Sequence, residues 1–292
     1  MPAPTPAPSR LRRDAKHLLR AVVPLSARKR LAAWIGRQHW LAQRHWWSVE
    51  MVRDLAERDV SGYHRFLWAN HLGYAETYEP GQRFGAERVQ LSRLLLFDDL
   101  ARALRERGAD PGQDVRSVLE VGCSMGYLLR YLELELFPAA EVLEGIDIDG
   151  YAVARGAEVL SREGSRARLL RGDMADLPRL VGDRRYDVVL CAGVLMYLRE
   201  PEAAEVVRAM LERTGGLLAL AGLAHPEADN ARLPASVPRE SDRSLIHNLD
   251  AMVERAGGRV VHRRWEGARK VGGNTLYFVF AEPAGGARWA SA

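Results

Sequence analysis

The chain has 292 residues, 47% of them hydrophobic, two cysteines and a formal net charge of +4. This length and apolar content bury a sizeable core, which excludes a disordered chain, and two cysteines exclude a disulfide scaffold. No apolar run approaches the roughly 18 residues of a membrane span, and the first residues lack the charged and apolar regions of a secretory signal, so a cytoplasmic protein is expected.

Residues 1–10, rich in proline and alanine, read as a disordered tail. Residues 1–40 carry nine Arg or Lys against the single acid Asp14, about +8, so the remainder is about −4. Such an arm suits phosphates or an anionic membrane surface, with a solvated tail as the plain alternative. Residues 11–108 are expected to form a helical N-terminal cap and substrate-binding region, broken at Pro24, Ser61-Gly62, Gly73 and Pro80-Gly81. This stretch holds Trp34, Trp40, Trp46, Trp47 and Trp68 with His64, His71, Tyr74 and Tyr78. Tryptophans at helical spacing more often pack than bind, so most of these are expected to be core.

From Asp110-Pro111-Gly112 the pattern switches to alternating strands and helices, which predicts an α/β, Rossmann-like, doubly wound and mostly parallel seven-stranded sheet over residues 109–283, followed by a tail at 284–292. Val118-Leu119-Glu120-Val121-Gly122-Cys123-Ser124-Met125-Gly126-Tyr127 reads as a buried strand, a glycine turn and a helix start running to Leu134. The turn brings backbone close beneath a ligand, and the helix start offers unpaired N–H groups.

A second strand, Glu141 to Asp147-Ile148-Asp149, ends in acids about twenty-five residues after the first glycine, where a carboxylate can accept two ribose hydroxyls. Asp147 is the candidate and Asp149 the alternative. A third strand leads into Gly172-Asp173-Met174, where Asp173 either receives an adenine amino proton or caps the next helix. The fourth, Tyr186-Asp187 to Cys191, opens into the small residues Ala192-Gly193. Later strands are expected at 216–221, 259–263 and 274–281. Cys123 and Cys191 lie at predicted strand ends beside the ligand as small fillers.

Four such segments in this order resemble the class I S-adenosylmethionine-dependent methyltransferases, over about residues 116–283. The resemblance implies S-adenosyl-L-methionine as cofactor, with Glu120, Gly122, Cys123, Ser124 and Gly126 around its methionine end, Asp147 and Ile148 at the ribose, and Asp173 with Met174 at the adenine. Cys191 after the fourth strand and Tyr78 on the cap complete the expected cofactor contacts. Ser124 departs from the family's usual middle glycine. Glu120 has a structural alternative, bonding loop N–H groups rather than cofactor.

Methyl transfer to oxygen needs a base, whereas an amine need only arrive neutral. His225, after the predicted fifth strand, is the first candidate base; His71 on the cap and Tyr197 after the fourth strand are the next catalytic candidates. No H-E-x-x-H or Cys/His cluster is present, so no metal is expected. The fourth-strand loop lacks the Asn/Asp-Pro-Pro-Tyr/Phe stretch of base-amine and glutamine methylating relatives, so nucleic acid is not the expected partner. The expected function is methyl transfer to a hydroxyl or amine of a small molecule, a specialised metabolite or saccharide. The alternatives are an RNA or glycolipid methyltransferase using the basic arm, and a non-catalytic cofactor-binding partner protein.

Overall fold

The computed structural model describes residues 22–38, 45–73, 89–286 and 289, with 45–47 as backbone only. The chain divides into two compact units, Met1–Thr77 and Tyr78–Ala292. The first is helical where described: α1 (Leu25–Arg37), α2 (His45–Met51), α3 (Leu55–Arg58) and α4 (Val60–Ala69). Its small core gathers Ala32, Met51, Val52, Tyr63, Leu67 and Leu72. Asp59 caps α4 by accepting from the Gly62 amide at 2.9 Å, which satisfies one of the N–H groups a helix start leaves open.

The second unit contains the sheet. Its strands are β1 (Ser117–Val121), β2 (Val142–Asp147), β3 (Ala167–Arg171), β4 (Tyr186–Ala192), β5 (Thr214–Gly222), β6 (Arg259–Val271) and β7 (Asn274–Glu282). They lie in the order β3-β2-β1-β4-β5-β7-β6. The first five are mutually parallel, and β7 pairs antiparallel with both β5 and β6. The expected seven-stranded doubly wound sheet is therefore present.

Successive side chains alternate between two cores, as a strand's period of two requires. Val118, Val188, Leu190, Leu217, Ala219 and Phe278 join one core; Leu119, Val189, Cys191, Leu218, Leu220 and Tyr277 join the other. Asp187 staples the amino ends of β1 and β4: its carboxylate accepts from the Arg116 and Ser117 amides at 2.8 and 3.0 Å, and its own amide donates to Ser117 Oγ at 2.9 Å.

Several boundaries differ from expectation. Helix α5 (Leu91–Arg105), assigned from sequence to the cap at 11–108, belongs to the sheet unit, because Leu96, Leu100 and Leu104 pack fully buried in the core that holds Val118 and Phe280. The helix after the glycine turn is α-helical only over Tyr127–Tyr131 and widens into a π-turn at Leu132–Leu136, so that Leu132 and Phe137 both reach the core. The tail at 284–292 is anchored by Trp289, whose ring fills the space left by Gly216, where an added Cβ would stand 2.2 Å from Cζ3.

Edge strand β6 runs to Val271 rather than 263 and carries Arg259, Arg263, Arg264, Arg269 and Lys270, a charge density that resists pairing with another chain. Arg264 reaches buried Asp99 on α5 at 2.6 Å, tying the edge to the helix layer. Among the described residues, no helix is long and apolar enough to cross a membrane.

Candidate cofactor and methyl-transfer site

Because β1 to β5 are parallel, the loops after β1, β2, β3 and β4 share the carboxyl edge of the sheet, and the order reverses between β1 and β4. Ligands bind outside this edge at such a switch point. The end of β1 is flanked by both neighbours, Val121 aligning with Ile146 of β2 and with Cys191 of β4. The turn is pinned by Gly122 and Cys123 amides donating to the Ile146 carbonyl at 2.8 and 3.1 Å.

Gly122 has φ +81°, and a Cβ there would stand 2.2 Å from Val194 Cγ2, so glycine is required for conformation and for space. Ser124 adopts φ +53° in place of the family's middle glycine, a conformation that costs an L-residue roughly 1–2 kcal/mol. Ser124→Gly is expected to leave the fold intact and change stability by no more than about 1 kcal/mol in the stabilising direction, because relief of that strain is partly offset by glycine's freedom in the unfolded chain. Urea unfolding of the two proteins measures it; a clear loss would mean the hydroxyl is itself structural.

The Ser124 amide donates to Asp147 Oδ2 at 2.7 Å, and the Asp149 amide donates to Oδ1 at 2.8 Å. Asp147 thus spans the two loops, each of its oxygens accepting a backbone amide. Burial pushes its carboxyl up to about 6, opposed by these amide bonds. Asp149 is different: buried, it caps helix α6 (Gly150–Arg162) by accepting from the Tyr151 and Ala152 amides at 3.0 and 3.1 Å. Ile148 is half-buried between them. Asp173 is half-buried and accepts from the Ala175 amide at 2.9 Å, capping a short 3-10 turn that begins at Met174. That cap engages one carboxylate oxygen and is compatible with a second acceptor role.

Glu120 is only 2% exposed, and its Oε2 has no hydrogen-bond partner. Burial drives its carboxyl up to about 8, opposed by the nearby Arg93 guanidinium and reinforced by Asp147. Arg93, on α5, donates from Nη2 to the Ala192 carbonyl at 3.1 Å, and that nitrogen lies 2.9 Å from where a Gly193 Cβ would stand. Its Nε is buried without a partner. A cation and an acid of opposite need therefore meet where β1 and β4 end. Cys123 and Cys191 are fully buried there, and burial raises both thiols, Cys191 to about 12, so they are inert fillers.

Of the catalytic candidates, His225 differs from its expected role. Its Nδ1 accepts from the Glu227 and Ala228 amides at 3.2 and 3.0 Å, which places the proton on Nε2 and makes the ring a loop anchor and a donor rather than a free base. His71 lies in the other unit, buried at φ +57° where α4 ends, and Tyr197 is half-buried in the 3-10 turn Leu195–Tyr197. Tyr74, Tyr78 and Trp40 lie outside the described residues.

Sequence reasoning missed Arg93, Asn230 and His247. Buried Asn230 accepts at Oδ1 from the His225 amide and the Trp265 indole, and donates from Nδ2 to the Leu223 and His247 carbonyls. His247, buried and held neutral by desolvation, bonds the Leu195 carbonyl at 3.0 Å and thereby fixes the turn that carries Tyr197. Its other nitrogen meets Ser236 Oγ at 2.7 Å. No local pattern marks these residues; each acquires its partners from distant parts of the chain.

The fold and its loops define a doubly wound domain that takes a nucleotide-like ligand at its carboxyl edge. Residues 118–215 match the family model described as "Methyltransferase domain". That stretch is a methyltransferase domain by its match, and the seven-stranded sheet around it has the fold of the class I S-adenosylmethionine-dependent methyltransferases. No curated protein matches the chain in sequence.

Among solved structures, the chain is similar to the Burkholderia thailandensis 1,6-didemethyltoxoflavin-N1-methyltransferase with bound 1,6-didemethyltoxoflavin and S-adenosylhomocysteine. That match has a TM-score of 0.54 at 16% identity and covers 75% of this chain and 89% of that one. It is also similar to PH0226 from Pyrococcus horikoshii OT3, with TM-score 0.51, 14% identity and coverage of 72% and 97%. A third similar structure, the [4+2]-cyclase SpnF, has TM-score 0.51 and 18% identity, covering 66% and 81%. These likenesses show the fold; the cyclase shows that the fold alone does not decide the reaction.

The residues present fit the cofactor. S-adenosylmethionine ends in an amino acid zwitterion, and the orphaned Glu120 Oε2 and Arg93 Nε are the acceptor and donor that such a group lacks in water-poor surroundings. Among the described residues, no group of three or more His, Cys, Asp or Glu is placed to hold a metal ion.

Proposed function

We propose that the chain is an S-adenosylmethionine-dependent methyltransferase acting on a hydroxyl or amine of a small molecule, such as a specialised metabolite or saccharide. The observation that carries the cofactor half is the pair Glu120 and Arg93 beside the glycine turn, an acid and a guanidinium each with a buried polar atom left unbonded. In this reading Glu120 accepts from the α-ammonium and Arg93 donates to the α-carboxylate. Asp147 accepts from the ribose hydroxyls, and Asp173 with the Met174 amide reads the adenine.

When bound, the cofactor supplies a methyl group on a positively charged sulfur, already an excellent leaving group. The protein's task is then placement. The turn Leu195–Tyr197, fixed by His247, presents Tyr197 as a wall of the acceptor pocket. With His225 engaged as an acceptor at Nδ1, its ring cannot take the acceptor's proton without giving up its loop bonds. An amine arriving neutral, or a hydroxyl whose proton leaves to water, suits this site. The Burkholderia thailandensis structure holds 1,6-didemethyltoxoflavin beside S-adenosylhomocysteine, which supports a small-molecule acceptor on this fold.

Titration calorimetry of the full chain with S-adenosylhomocysteine tests this reading. One saturable site per chain is expected, weakened about tenfold or more in Arg93→Gln through loss of a charged hydrogen bond. Absence of binding to the folded wild type would overturn the cofactor assignment.

A further inference from the structure

Helix α1 is fastened on one side and bare on the other. On the fastened side, buried Arg28 grips Asp54 through two bonds at 2.7 and 2.8 Å and also meets the Met51 and Val23 carbonyls. Gly36 approaches α4 so closely that a Cβ would stand 2.1 Å from the Asn70 carbonyl oxygen. The helix therefore cannot roll to hide its outer face.

That outer face is apolar and basic together. Leu31 and Trp34 are 48% and 49% exposed, and Val22 just before the helix is 72% exposed. The large apolar side chains most exposed among the described residues are these three with Leu91 and Leu134, so the exposure concentrates here. Arg30, Trp34 and Arg37 follow at helical spacing on the same side, all exposed, with Leu31 beside them. The surrounding sequence, residues 1–40, holds nine Arg or Lys against one acid.

We propose that α1 is an interfacial anchor that lays Leu31 and Trp34 into an anionic phospholipid surface while Arg30 and Arg37 pair with lipid phosphates. Three features select a bilayer over other occupants. Tryptophan and leucine flanked by arginine match the boundary between acyl chains and headgroups, where an indole buries its body and keeps its N–H wet. The net positive charge of the whole arm supplies attraction worth about 1 kcal/mol per basic residue near an anionic surface. Thirteen residues make a helix of roughly 20 Å, too short to span, so the helix lies on the surface rather than through it. This inference is independent of the reading of the sheet unit.

Flotation of the full chain with phosphatidylcholine vesicles, and with vesicles containing roughly a third phosphatidylglycerol, tests it. Binding is expected to the anionic vesicles alone and to fall steeply with added salt. The double variants Leu31→Ser/Trp34→Ser and Arg30→Gln/Arg37→Gln change only the exposed face, and each is expected to bind at least about tenfold more weakly. Unchanged circular dichroism melts show that the fold survives. Equal binding to both vesicle types, or variants that float like the wild type, would overturn the proposal. So would an RNA oligonucleotide that binds and is lost in the arginine variant while no vesicle binds, which would assign this face to nucleic acid.

Discussion

The apoprotein is expected to lose stability as pH rises from about 4.5 to 8, and Glu120→Gln to remove most of that loss. Glu120 is buried with Oε2 unbonded, and its carboxyl is pushed up to about 8 by burial. A group whose folded value lies above its unfolded value favours the fold while protonated. Its contribution is complete below the unfolded value near 4.5 and disappears as pH climbs through the folded one. A shift of this size corresponds by linkage to at most ~5 kcal/mol, and water entering the site reduces it.

Urea unfolding from pH 5 to 9 measures the effect. The wild type should converge on the variant in acid and fall below it in base. Parallel pH profiles would show that Glu120 is already ionised in the free protein. The same substitution should weaken S-adenosylhomocysteine binding, because an amide accepts from the ammonium without charge. A residue that destabilises the empty site and serves the filled one is an arrangement expected of a binding site rather than of a core.

Asp147→Ala is expected to bind S-adenosylhomocysteine about tenfold to a hundredfold more weakly, the loss of about 1.5–3 kcal/mol carried by hydrogen bonds to a charged group. The substitution also releases the Ser124 and Asp149 amides, so the glycine turn loses its tie to the β2 loop. Asp149→Ala is the control: it removes the cap of α6 and should cost about 1 kcal/mol of stability while leaving affinity nearly unchanged. An affinity loss confined to the Asp149 variant would move the ribose role there.

Because burial raises Asp147 to about 6, its carboxylate must ionise to accept both hydroxyls. Affinity should therefore fall as pH drops below about 6 and level off above it. Calorimetry at pH 5, 6 and 7.5 shows the trend, and a flat profile would mean that the carboxylate is already ionised at pH 5 or is not a ligand.

The two effects separate the members of the site. Glu120 and Asp147 both sit at strand ends beside glycine-containing turns, and both stand out in the sequence as candidates because strand, turn and acid are adjacent in the chain. Arg93 was not legible. It occupies a helix whose pattern reads as part of a separate cap, and only the packing of Leu96, Leu100 and Leu104 against the sheet brings its guanidinium to the end of β4. His225 was legible as a histidine at the right edge, but its role was not. The Glu227 and Ala228 amides that claim Nδ1 follow from the path of the loop rather than from the residue's neighbours in sequence.

The sequence by itself determined the order of strands and helices, the glycine turn and the acids at the ends of β2 and β3. Local periodicity and backbone permissiveness act over a few residues, and those residues are written next to one another. The tertiary structure alone decided which side chains have company: Asn230 among four partners, His247 beneath the Leu195 turn, Trp289 in the space at Gly216, and Glu120 and Arg93 each with a polar atom unbonded. Burial and hydrogen bonding depend on groups far apart in the chain, and only the closed sheet and its layers of helices bring those groups together.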